Sequence, residues 1–156
     1  MRPALSSAKA SSGGRSRGAV IVEFAIMLPL LVLILLMIVD LGWVLRESQI
    51  LQNAAREGAH FSAMPANQIN PGNPNASVTQ IRQFVIDYCA QENITVQPGD
   101  ITVDQNWPIQ VGTNWLEGSL VTISYQRPFI IHGTGLLPTS QLTLVGQAVF
   151  VNFYAY

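Results

Sequence analysis

GAVIVEFAIMLPLLVLILLMIVDLGWVLRESQILQNAAREGAHFSA, residues 18–63, is the stretch that decides the architecture of this 156-residue chain. Phe24 to Val39 carries no charge, and from Ala19 to Val39 the only charged side chain is Glu23. A helix that crosses a bilayer needs about 20 mostly apolar residues, because roughly 30 Å of hydrocarbon is covered at 1.5 Å per residue. Only a helix satisfies its own backbone there. Residues 19–39 therefore read as a membrane span. Pro29 has no N–H to donate, which removes one helical hydrogen bond and predicts a local bend. Residues 40–63 contain no proline and keep an apolar stripe. Trp43, Ile50, Ala54 and Phe61 recur at helical spacing, with Leu51, Ala55 and Gly58 beside them. Arg46, Glu47, Gln49, Arg56 and Glu57 fall largely elsewhere. Ala54, Ala55, Gly58 and Ala59 are small enough for another element to approach closely, and Pro65 ends the pattern. The expectation is one helix over 19–63, its first half in lipid and its second half docked on a domain.

Outward toward the N-terminus, residues 1–17 are rich in Ser, Ala, Gly and Arg without apolar periodicity, which predicts disorder. Arg2, Lys9, Arg15 and Arg17 lie there with no acid among them. The rest of the chain holds four basic residues against nine acids, a formal -5. A basic tail ahead of an acidic body fits a tail held on the cytoplasmic side of a membrane and a body outside. It argues against nucleic acid as a partner of the body.

Toward the C-terminus, residues 64–76 read as a loop of Pro, Gly and Asn. Ser77 can cap a second helix running to about Glu92, with Val78, Ile81, Val85 and Tyr88 on one face. Pro98-Gly99 marks a turn. Three alternating stretches follow. Ile101, Val103 and Trp107 share a parity in the first, Val121, Ile123 and Tyr125 in the second, and Leu142, Leu144, Ala148 and Phe150 in the third. From Ala148 onward both parities are apolar, so the last strand is either buried on both faces or turns its outer face to a partner. The reading is α+β: a long N-terminal transmembrane helix, a second helix, and an antiparallel sheet of about three strands in an extracytoplasmic domain over 64–156.

Chemistry-bearing residues are sparse. Cys89 is the single cysteine, so the fold is held by packing rather than by a disulfide. Cys89, His60 and His132 give no metal-ligand spacing, and no cofactor is implied. Asp100, Asp104, Glu117 and His132 form no recognisable acid–base or nucleophile set, so an enzyme is not expected. Gly133-Thr134-Gly135 follows no strand-to-helix fingerprint and reads as a turn. Trp107 and Trp115 suit either a carbohydrate-binding surface or, the favoured reading, loop aromatics packed on the sheet.

The informative constellation is Gly18, Glu23 and Phe24, in the order basic residues, Gly18, four apolar residues, Glu23, Phe24, apolar core. A carboxylate costs around 2.5–3.5 kcal/mol at the centre of a span and less near the interface, so Glu23 asks for a partner. If the chain is cut after Gly18, Ala19 gains a charged amine. Glu23 of a neighbouring subunit can then pair with that amine and set axial register.

At this point the sequence resembles a known family. RGAVIVEFA, the early Pro29 and the closing NAAREGA, within residues 17–59, look like the TadE-like pseudopilins of tight-adherence (Flp-type) pilus systems. The resemblance implies a pilin-like fold and cleavage by a membrane aspartyl prepilin peptidase between Gly18 and Ala19. Residues 1–18 are then a leader, and Glu23 is the fifth mature residue. It also implies a minor pilin of the bacterial inner membrane. Its partners would be the prepilin peptidase, other pilins and pseudopilins, the inner-membrane pilus assembly platform and membrane lipid. Other readings stay open. Residues 1–39 suit an uncleaved signal anchor for an adhesive or binding module, or a secretory signal peptide, although the apolar block exceeds the usual 7–15 residues of such a signal.

Overall fold

Helix α1, Arg15–Ala63, follows directly from the unbroken run of helix-compatible residues and continues through Pro29. The computed structural model describes residues 15–64, 77–129 and 141–152. The expected loop over 64–76, the Gly133-Thr134-Gly135 turn and His132 therefore lie wholly or largely outside the described residues. Helix begins at Arg15, so the last residues of the stretch expected to be disordered are helical. The chain divides into two compact units, Met1–Val39 and Asp40–Tyr156.

In the first unit no described side chain from Gly18 to Val39 is buried. Large apolar side chains such as Ile21, Phe24, Ile26, Leu31 and Ile38 all stand exposed. A helix that is apolar on every side and covered on none has the length and composition of a membrane span.

The second unit is α+β. Helix α2, Val78–Gln91, starts at a reciprocal cap: the Gln80 backbone N–H donates to Ser77 Oγ, and the Ser77 N–H donates to Gln80 Oε1. It stops at Asn93, whose φ of 62° is left-handed. The Asn93 N–H then reaches Ala90 O, and the Ile94 N–H reaches Cys89 O. Ile94 and Cys89 both enter the core, so the cap also fixes where the chain leaves the helix.

After a single 3-10 turn, Pro98–Asp100, come β1 (Ile101–Val111), β2 (Asn114–Pro128) and β3 (Gln141–Val151). They form one antiparallel sheet in the order β1-β2-β3. Its inner face presents Ile101, Val121, Ile123 and Leu144, with Val103, Tyr125, Leu142, Ala148 and Phe150 half-buried around them. The same core takes Ile50, Leu51, Ala54, Ala55 and Ala59 from α1, and Ile81, Val85 and Cys89 from α2. His60 of α1 stands edge-on to Phe150, and Phe61 stacks on Phe84 of α2 at 4.7 Å.

Two expectations are corrected by this geometry. The register jumps from Asp104↔Leu120 to Trp107↔Gly118, so Gln105 and Asn106 face Ser119 alone. This bulge reverses the parity of β1 and sends Trp107 to the outer face, away from Ile101 and Val103. On α1, Trp43 is 48% exposed, although it shares a helix face with Ile50 and Phe61. The buried line runs through Asp40, Glu47, Ile50, Leu51, Ala54, Ala55, Gly58, Ala59 and Ser62.

Candidate functional site

Helix α1 carries the residues expected to serve processing, register and helix packing. Gly18, Ala19, Glu23 and Phe24 lie on its first part, all exposed, and a Cβ added at Gly18 meets nothing within 4 Å. Ala54, Ala55, Gly58 and Ala59 lie on its second part and are buried, the three alanines completely. At Gly58 the approach is close: a Cβ would stand 2.5 Å from Val85 Cγ2 of α2 and 3.6 Å from Val121 Cγ1 of β2. Gly146 of β3 plays the reciprocal part, since a Cβ there would strike the main-chain carbonyl of Leu51. Helix and sheet therefore meet backbone to backbone, which only glycine permits at that distance.

A feature the residue-by-residue reading missed is a buried ionic cluster at the lower end of the docked helix. The Arg127 guanidinium donates to the Asp40 main-chain carbonyl at 3.1 Å and stands 3.2 Å from Asp40 Oδ1 and 3.1 Å from Glu47 Oε2. All three residues are less than a tenth exposed. Burial raises the Glu47 carboxyl above its usual 4.5, with Arg127 and Arg46 pulling it back and Asp40 pushing it further up. Burial also raises the Tyr125 phenol beside it, with the Glu47 charge adding to the effect. The signal was present in the spacing. Asp40, Glu47 and Ala54 are seven residues apart, two helical turns, and Arg127 has the inward parity of Val121, Ile123 and Tyr125. Glu47, expected on the solvent side, is drawn inward because Arg127 supplies the charge that makes its burial tolerable.

At the upper end the polar contacts are neutral. Ser119 Oγ donates to Ser62 Oγ at 2.6 Å, Gln105 Nε2 donates to Ser62 Oγ, and Asn152 Nδ2 donates to Gln105 O at 2.8 Å. These bonds satisfy the small hydroxyls that let α1 lie close to β2.

The remaining candidates separate from any site. Cys89 is buried, and desolvation pushes its thiol up to about 11, so it stays protonated and shielded. Among the described residues no group of three His, Cys, Asp or Glu is placed to hold a metal ion. Trp107 and Trp115 lie in strands rather than loops, and at 42% and 66% exposure they are not packed away. Val149 is also well exposed on the outer face of β3, so that strand is not buried on both faces.

No curated protein and no solved structure matches the chain. The family model described as TadE-like protein matches residues 18–60, covering the uncovered apolar stretch and most of the docked stretch of α1. Over residues 18–60 the chain is similar to TadE-like proteins.

Proposed function

We propose that the chain is a membrane-anchored minor pilin or pseudopilin needed for assembly of a tight-adherence pilus or a related secretion machine. The observation that carries this reading is the TadE-like match on a helix that is apolar and uncovered in its first part and committed to a folded domain in its second. The family is structural, and the work falls to helix packing rather than to catalysis. The first part of α1 enters the inner membrane, with the basic leader in the cytoplasm and the domain outside. A prepilin peptidase cuts between Gly18 and Ala19. Gly18 supports that choice, because a backbone with no side chain and open space around it can enter a protease cleft closely. The new Ala19 amine then pairs with Glu23 of a neighbouring pilin at the membrane edge and fixes axial register, with Phe24 packing beside it. The assembly platform and other pilins are the partners that complete the fibre or its base.

N-terminal sequencing of the protein recovered from its native membrane tests the processing step. The mature chain begins at Ala19, and Gly18→Leu leaves a precursor heavier by about eighteen residues at 110 Da each. Mature-sized Gly18→Leu protein would place the cut elsewhere and favour the uncleaved or differently cleaved anchor.

A further inference from the structure

The sequence ends its apolar block at Val39 because Asp40 follows, but Asp40 does not face outward. Its side chain lies against Arg127 inside the domain. Beyond Asp40 on α1, Leu41, Gly42, Trp43 and Leu45 are all exposed, at 59%, 48% and 57% for Leu41, Trp43 and Leu45. Among the exposed residues of this stretch polarity begins only at Arg46, then continues through Gln49, Gln52, Asn53, Arg56 and Glu57. The outer polarity boundary therefore lies about six residues, nearly two turns or roughly 9 Å, beyond the one the linear sequence marks.

Resting on the reading of α1 as a membrane anchor, we propose that the lipid surface meets the helix at Leu45–Arg46 rather than at Val39–Asp40. Trp43 then sits in the interfacial layer where amphipathic rings collect. Arg127, gripping Asp40 from the end of β2, carries the foot of the domain below that boundary, where its own positive charge and the Asp40 and Glu47 carboxylates offset one another. The other end of the span moves with it. About 20 helical residues cover the hydrocarbon. Counted back from Val39 they enclose Glu23. Counted back from Leu45 they stop near Ile26, and Glu23 comes to lie in the polar layer of the opposite face. The clasp on Asp40 thus keeps two carboxylates from facing hydrocarbon, Asp40 by burial against Arg127 and Glu23 by displacement.

The test uses the full chain alone in vesicles of phosphatidylethanolamine and phosphatidylglycerol. A membrane-impermeant maleimide probes Leu31→Cys, Leu41→Cys, Leu45→Cys, Gln49→Cys and Gln52→Cys. Cys89 stays in place: buried and protonated, it does not label in folded protein, and labelling of the parent reports unfolding. Rates are taken relative to Gln49→Cys in the same preparation. The expected result is at least tenfold slower labelling at 31, 41 and 45 than at 49 and 52, with the difference abolished by detergent. Labelling at 41 and 45 as fast as at 49, with 31 protected, would overturn the shifted boundary while leaving the anchor intact. Fast labelling at 31 as well would overturn the anchor reading and this proposal with it. Protection at 41 and 45 that disappears as protein is diluted in lipid would show a second copy as the cover, and would also overturn it.

Discussion

Arg127 enters the core as a cation between two carboxylates, and the energetics of that corner follow from the imbalance. Removing one partner from a buried ionic cluster strands the remainder in a medium that solvates charge poorly, at a cost of about 3–5 kcal/mol. Arg127→Ala should therefore lower the stability of the folded domain by that order, read by thermal or denaturant unfolding of the full chain. A loss below about 1 kcal/mol would mean that the corner is wetter than its burial indicates. Glu47 gives a second handle through pH. Its folded carboxyl is raised above 4.5, chiefly by burial, so the folded state binds that proton more tightly than the unfolded one. Its contribution is then fully present below the unfolded value and is lost as pH rises through the folded value. The stability of the parent relative to Glu47→Gln should fall across that window, and a difference that grows with pH would contradict the assignment. At this scale the sequence showed the acids and the arginine but not their meeting. That contact joins residues 87 apart in the chain, and it depends on a sheet register that no local pattern specifies.

At the scale of elements, the close approach of α1 to the sheet is set by what is missing from Gly58 and Gly146. Gly58→Leu places bulk against Val85 and Val121 and should cost about 1–3 kcal/mol by overpacking. Gly146→Ala should cost a similar amount, because its single methyl meets the backbone of Leu51 rather than a side chain that can rotate away. Unchanged unfolding midpoints for both would show that helix and sheet can separate freely. The elements themselves were legible. Periodicity gave two helices, Ser77 announced its cap, and parity identified the inner faces of β2 and β3. The parity of β1 failed at Trp107 because a bulge inserts a residue without any change in composition. Spacing alone cannot place Trp43, because an aromatic at helical spacing looks the same whether it faces a core or a membrane edge. Gly146 went unnoticed because a glycine inside a strand pattern does not reveal which neighbour approaches it.

For the whole molecule, the charge split between the basic N-terminal stretch and the acidic body predicts that stretch in the cytoplasm and the C-terminus outside. A reporter active only outside the cytoplasm, fused after Tyr156, should be active, and an inactive fusion of normal abundance would reverse the topology. The central claim is that α1, once inserted and cut, works by registering against other pilins through Glu23. Glu23→Leu separates insertion and cutting from assembly, because it keeps Gly18 and removes the only charge between Ala19 and Val39. The most direct measurement is in-membrane cross-linking of this variant to partner pilins, with N-terminal sequencing of the same sample to confirm that it begins at Ala19. Glu23→Leu protein should be correctly cut and lose its cross-links to partner pilins, with Glu23→Asp intermediate. Correctly cut Glu23→Leu protein that cross-links as fully as the parent would contradict it.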